Sequence, residues 1–124
     1  MKKILISSLL LASSTLLFAS PTAEDLAVKH CGECHLMGKI TKDKLSKMKA
    51  PPYWALKKMA RLKYNNREDK INYIVDYALK PAEEKMLFPH ETRDRFGVMP
   101  SQKGKVTEAE IREISEYILG DEQQ

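Results

Sequence analysis

The sequence has few cysteines and no long uninterrupted hydrophobic run. Its 124 residues include only two cysteines, and this length allows at most one compact domain, which excludes a multidomain enzyme. Residues 20–124 contain no internal repeat and no low-complexity tract. Hydrophobic residues make up 43% of the chain, which is too many for a wholly disordered protein. The composition therefore predicts one small folded domain.

The N-terminus has the layout of a secretory signal peptide. Two lysines precede an uncharged stretch, residues 4–19, that ends in small residues. Several serines interrupt this stretch, and it falls short of the roughly 20 apolar residues that a bilayer-spanning helix requires. We therefore predict that residues 1–19 are a signal peptide cleaved before Ser20, that residues 20–124 form the exported domain, and that no membrane span remains. An uncleaved membrane anchor is the alternative.

Both cysteines lie in one short motif, CGECH, at residues 31–35. Two thiols one helical turn apart can add to the two vinyl groups of one haem, and the histidine that follows supplies an iron ligand. A redox disulfide with this spacing usually follows a strand, and a structural zinc site needs four ligands, for which the other two histidines form no second pair. The motif therefore predicts one covalent haem c, with Cys31 and Cys34 as thioether anchors and His35 as an axial ligand.

The spacing of hydrophobic residues predicts four helices and no strand, and therefore an all-α fold. Residues 36–50 show little periodicity and are predicted to form a polar loop. Residues 81–106 contain several prolines and glycines and are predicted to form a long ordered loop, with one short helical turn near residues 81–85. The first helix is predicted to start at Thr22, and the second at Pro51 or Pro52. The third is predicted to span residues 67–80, and the fourth to run from the Thr107 and Glu110 capping box to Gly120.

A haem iron with one histidine ligand has a second axial position, and its occupant separates electron carriers from ligand binders. Met99 is the preferred candidate, because Gly97 allows the backbone to approach a porphyrin closely and Pro100 stiffens the chain just beyond. Met86 and His90 belong to the same long loop and remain alternatives. An iron without a second protein ligand is the third alternative.

Other candidate side chains receive less specific predictions. Met37 is too close to His35 to reach the far side of a haem, Met48 lies in a lysine-rich loop, and Met59 is predicted to fill the core. The candidates to line the haem pocket or to pair with a haem propionate are Tyr53, Trp54, Arg61, Arg93 and Arg95. Ordinary packing or a solvated surface charge is the alternative for each, and we favour it for the arginines.

Three segments occur in an order that resembles a known family. They are CGECH at residues 31–35, FGVMP at residues 96–100 and SEYIL at residues 115–119. Together they resemble a class I c-type cytochrome, most closely the small periplasmic mono-haem bacterial members, and the resemblance covers residues 21–120.

The resemblance implies a cytochrome c-like fold, with about four helices wrapped around one covalently attached haem c. It implies Cys31 and Cys34 as thioether anchors, and His35 and Met99 as axial ligands of the haem iron. It also implies that the carbonyl of Pro51, or of the proline after it, accepts a hydrogen bond from the second ring nitrogen of His35. The function that it implies is electron transfer in the periplasm, without catalytic residues.

The distribution of charged residues along the chain indicates which kinds of partner the protein binds. Residues 29–70 contain twelve Lys or Arg against four acidic residues, whereas residues 71–124 contain seven against eleven. A net charge of only +2 for residues 20–124, together with export, argues against a nucleic-acid partner. A lysine loop after the motif predicts a patch for an acidic redox partner, and a solvated loop is an equal alternative. Its members are Lys39, Lys42, Lys44, Lys47 and Lys49.

The sequence thus favours a periplasmic electron carrier over two other functions. One is a haem c subunit or small-ligand-binding module of a periplasmic oxidoreductase complex, for which the second axial ligand is the discriminating feature. The other is a zinc-stabilised or disulfide-bearing interaction module without haem.

Overall fold

The computed structural model describes residues 18–121, which form six α-helices and one short 3-10 helix without any strand in that range. The predicted all-α class is confirmed. Residues 1–17, and with them most of the predicted signal peptide, lie outside the described residues. The helices are α1 (Ala23–Cys31), α2 (Lys42–Ser46), α3 (Tyr53–Lys63), α4 (Arg67–Leu79), α5 (His90–Phe96) and α6 (Glu108–Leu119), with the 3-10 helix at Glu83–Lys85.

Helices α1 and α6 begin with the same capping arrangement. The Thr22 hydroxyl accepts a hydrogen bond from the Asp25 backbone N–H at 3.1 Å, and the Asp25 carboxylate accepts one from the Thr22 backbone N–H at 2.9 Å. Thr107 and Glu110 repeat this box at the start of α6, as predicted. In both boxes the hydrogen bonds from the threonine lower the pKa of the acidic partner, so each carboxylate stays charged beside the positive end of the helix dipole.

Two helices lie in segments that were predicted to be loops, so the expected number of about four helices is too low. Helix α2 falls within residues 36–50 and is capped by the Thr41 side chain, which accepts a hydrogen bond from the Lys44 N–H at 3.2 Å. Helix α5 falls within residues 81–106 and begins directly after Pro89. Neither helix buries a residue, so neither has the hydrophobic periodicity from which a helix is predicted.

The core is built from α1, α3, α4 and α6, with α6 packed against α1 and α4. Met59 is half-buried and lies outside this core, so the prediction that it fills the core is wrong. Ala60, the next residue on α3, is buried there instead. The buried members are Leu26, Ala27, Met37, Ala60, Ile71, Val75, Val106, Ile111, Ile114, Ile118 and Leu119.

Candidate haem site

The CGECH motif begins on the last turn of α1 and continues as a tight turn. The backbone N–H groups of Cys34 and His35 both donate to the Cys31 carbonyl, at 3.3 and 2.9 Å. Both thiols are free and half-buried. Burial, together with the neighbouring Cys34, raises the pKa of the Cys31 thiol to about 11. A thiol–disulfide redox centre needs a cysteine of lowered pKa, so this environment does not favour that interpretation.

The His35 ring is held in one orientation by the backbone. Its Nδ1 atom lies 2.5 Å from the carbonyl oxygen of Pro51, and because a carbonyl can only accept, Nδ1 carries the proton. Burial lowers the pKa of His35, and the hydrogen bond to Pro51 opposes that shift more weakly. The imidazole is therefore neutral near pH 7, with its lone pair on Nε2, which is the form that binds a metal. Of the two prolines considered, Pro51 supplies the carbonyl.

The start of α3 and helix α6 fix the motif from two sides. The Lys49 N–H donates to the Cys34 carbonyl at 3.1 Å, and the Tyr53 N–H donates to the Leu36 carbonyl at 3.3 Å. On the other side the Gly38 N–H donates to the Tyr117 hydroxyl at 2.8 Å. The first two bonds hold the residues on either side of Pro51 and Pro52 against the segment that contains His35.

Gly38 has a conformation and a position that only glycine fits well. Its φ is +63°, a region that side-chain-bearing residues rarely adopt, and an added Cβ would lie 2.9 Å from Cγ2 of Val28 on α1. The chain therefore turns back tightly against α1 just after the motif.

Met99 is half-buried and lies on a separate segment that is fastened to the end of α4. Burial raises the pKa of the Tyr77 hydroxyl, and the Met99 backbone beside it opposes that shift. The Ser101 hydroxyl donates to the Leu79 carbonyl at 2.6 Å, and the Gln102 N–H donates to another carbonyl near the end of α4 at 2.9 Å. The segment is thus held against the end of α4 just beyond Met99.

Gly97 ends α5 with a φ of +69°, a region that favours glycine. An added Cβ there would meet no protein atom within 4 Å. The turn therefore requires glycine for its backbone angle, and this angle directs the chain from α5 into Met99.

The other candidates for the second axial position lie in distinct environments. Met37 is buried in the core with 1% of its surface exposed. His90 is exposed at the first position of α5, where its Nδ1 lies 2.9 Å from Asp94. Met86 is half-buried just after the 3-10 helix. The structure thus directs His90 toward the surface and leaves the two methionines at positions 86 and 99 half-buried.

Met48 lies closer to the motif than its sequence context suggested. It lines a hollow of about 130 Å³ together with Cys34, His35 and residues of α2. Met99 is not among the lining residues of this hollow. Sequence reasoning missed this position of Met48 because it depends on α2, which was not predicted.

Two side-chain nitrogens in the described residues are buried and have no hydrogen-bond partner: Nε2 of His30 and Nε of Arg93. Arg93 lies on α5 and is half-buried, with its Nε enclosed by the protein. Its neighbour Arg95 instead places its guanidinium 4.8 Å from the centre of the Phe96 ring, and Arg61 is exposed. A buried guanidinium nitrogen without an acceptor is costly. A carboxylate of a bound group would satisfy it, and haem carries two such carboxylates as propionates, so Arg93 fits that group.

Residues 18–121 contain neither a cluster of metal-binding side chains nor a helix that could span a membrane. No three side chains of His, Cys, Asp or Glu in this range are grouped so that they could hold a metal ion. Within the same range, every helix is too short or too polar to cross a bilayer.

Comparisons of the chain with protein-family models, with characterised proteins and with solved structures found no match. The function therefore has to be inferred from the residues and their geometry.

Proposed function

We propose that this protein is a periplasmic electron carrier of the class I cytochrome c type, with a cytochrome c-like fold around one covalent haem c. The anchors are Cys31 and Cys34, and the axial ligands of the iron are His35 and Met99. The observation that carries the proposal is the hydrogen bond from Nδ1 of His35 to the Pro51 carbonyl. It fixes the tautomer whose Nε2 can bind iron, directly beside two free, half-buried thiols.

Each residue of the proposed site has a defined task. When bound, the haem supplies reversible one-electron chemistry at its iron. The thiols of Cys31 and Cys34 fix one edge of the porphyrin, and the Pro51 carbonyl keeps the His35 ring in the orientation needed for ligation. The thioether of Met99 is a soft ligand that favours ferrous iron, and burial disfavours the additional charge of ferric iron. We therefore expect a positive reduction potential.

The decisive experiment tests whether haem is covalently attached. The exported protein is purified and unfolded in detergent, and its haem is followed by absorption and by haem staining of a denaturing gel. We expect the haem to stay with the chain, because thioether bonds survive unfolding. A purified protein without haem, or a haem that separates from the chain on denaturation, would contradict the proposal.

Arg93 provides a prediction on the reduction potential. Arg93→Leu removes a positive charge that we place beside a haem propionate. The removal of this charge stabilises ferric iron relative to ferrous iron. We expect the midpoint potential to fall by about 60 mV, which corresponds to a tenfold change in the equilibrium constant of a one-electron couple. Spectroelectrochemical titration measures it.

Arg95→Leu is the matched control, because Arg95 lies two residues from Arg93 and carries the same charge. The Arg95 guanidinium lies over the Phe96 ring. Its midpoint potential should stay close to that of the wild type. Equal shifts in the two variants would mean that Arg93 acts only through the overall charge of α5 and has no contact with a propionate.

A further inference from the structure

Helix α3 has an exposed face that combines apolar and positively charged side chains. Trp54 is 44% exposed and Leu62 is 72% exposed, and eight residues of helix separate them by about 12 Å along its axis. Between them lies a surface groove of about 310 Å³. We call this surface the α3 face; the residues that line its groove are Trp54, Lys57, Lys58, Arg61 and Leu62.

The positive charges of α3 are not balanced within the described residues. The helix contains four Lys or Arg and no acidic residue. None of these four side chains takes part in an ion pair within residues 18–121. An unpaired cluster of one sign attracts a partner of the opposite sign and raises its rate of association. The α3 face therefore suits a partner with a negatively charged surface.

The lysine loop, by contrast, is largely engaged in contacts of its own. The amino group of Lys44 donates to the Lys39 carbonyl at 2.8 Å. Lys47 pairs with Asp43 at 2.9 Å, and the Lys49 amino group lies 3.6 Å from Glu33. In the described chain, the amino groups of Lys39 and Lys42 take part in no ion pair and no hydrogen bond. The amino groups of the other three lysines do. The structure thus shifts the unbalanced positive charge from this loop to α3.

The α3 face is also directly connected to the candidate haem site. The Trp54 ring meets the Tyr53 ring edge-on, with 5.4 Å between the ring centres. The Tyr53 N–H donates to the Leu36 carbonyl, next to His35 in the chain, and Pro51 holds the His35 ring. Trp54 is therefore linked to the proposed iron ligand through Tyr53 and Leu36. For an electron carrier this is a suitable place for electron exchange.

We propose that the α3 face is the docking surface for an acidic redox protein, an inference that rests on the proposed function. Trp54 and Leu62 would form the apolar centre of the contact, where Trp and Arg commonly contribute most of the binding energy. The cations would attract carboxylates at its rim. The shallow groove between the two apolar side chains gives a side chain of a folded partner a place to lodge.

The indole N–H of Trp54 is a specific reporter, because the chain contains one tryptophan. The ¹⁵N-labelled, haem-loaded protein in its reduced state is titrated at low ionic strength with poly-L-glutamate, which serves as the acidic probe. We expect the indole signal to shift and the shift to disappear when salt is added. In Lys58→Glu/Arg61→Glu, the dissociation constant should rise by about tenfold or more.

The matched control is Lys39→Glu/Lys42→Glu, which changes the net charge by the same amount on the two unengaged lysines of the lysine loop. Its dissociation constant should stay within about twofold of the wild type. A larger loss of binding in this control than in the α3 variant would place the docking surface on the loop and overturn the proposal.

Two other occupants are tested with the same reporter. A shift with phosphatidylglycerol vesicles and none with poly-L-glutamate would identify an anionic membrane surface and overturn the proposal. A shift that depends only on the concentration of the protein itself would identify a second copy of the chain, with the same consequence. The reporter does not require electron transfer, so a chain that proves to lack haem but still shows the α3-dependent shift would refute the proposed function and leave the acidic docking surface in place.

Discussion

Replacing His35 by alanine is expected to abolish accumulation of the haem-loaded protein, and Cys31→Ala or Cys34→Ala is expected to weaken covalent attachment. Cys31 packs against the hydrophobic core, so a haem attached there would extend that core. Burial of the apolar porphyrin surface would then add to the stability of this small domain. Without it we expect the chain to be degraded or only partly folded.

The measurement compares haem staining and absorption of the periplasmic fraction with the amount of chain detected by an antibody. His90→Ala is the matched control, because His90 is exposed and paired with Asp94 on the surface, and its yield should equal that of the wild type. A double Cys31→Ser/Cys34→Ser variant that accumulates normally with an unchanged spectrum would rule out covalent attachment through this motif.

Much of the fold could be predicted because patterns within short stretches of sequence determine it. Helices α4 and α6 follow their hydrophobic spacing, with Ile71 and Val75 buried on one and Ile114 and Ile118 on the other. The capping box at Thr107 correctly predicted where α6 begins. Such signals depend on neighbours within one or two turns, so they need no knowledge of tertiary packing.

The features that could not be predicted depend on residues distant in sequence. The choice between Pro51 and Pro52 as the partner of His35 depends on which carbonyl faces the ring, and successive carbonyls of an extended chain point in different directions. The burial of Arg93 Nε and the hollow lined by Met48 depend on where α5 and α2 lie in the folded chain. These two helices bury no residues of their own, so the hydrophobic pattern gives no sign of them.

The separation of the positive patch from the lysine loop has the same origin. In the sequence, five lysines within a short stretch look like the strongest basic feature, whereas the cations of α3 are interleaved with apolar residues. Ion pairs such as Lys47 with Asp43 become visible only in the folded chain. Counting charges along the sequence therefore overstates the field of the loop and understates that of α3.

Met99→Ala is expected to convert the protein from a six-coordinate carrier into one with an open iron position. If Met99 ligates the iron, the ferric wild-type protein shows the weak long-wavelength absorption band of a sulfur-to-iron bond, and the variant lacks it. Because a soft ligand that favours ferrous iron is lost, the midpoint potential should fall by more than about 60 mV, a tenfold change for a one-electron couple. The variant should also bind carbon monoxide or azide.

The structural support for this expectation is the way the Met99 segment is held. The Ser101 hydroxyl fastens it to the end of α4 just beyond the methionine, the Tyr77 hydroxyl lies against the Met99 backbone, and Gly97 turns the chain into it with a positive φ. A ligand held in this way is lost on truncation of its side chain without loss of the segment. The variant should therefore keep its helical circular dichroism while its iron spectrum changes.

Met86→Leu and His90→Ala are the controls, and both should retain the long-wavelength band. Met86 is the other half-buried methionine of the same part of the chain, and His90 is exposed and paired with Asp94. If Met99→Leu kept the band and Met86→Leu lost it, the carrier would stand with Met86 as its ligand. If the wild-type protein lacked the band and bound carbon monoxide rapidly, the iron would have an open position from the start, and a ligand-binding module would replace the electron carrier as the function of this chain.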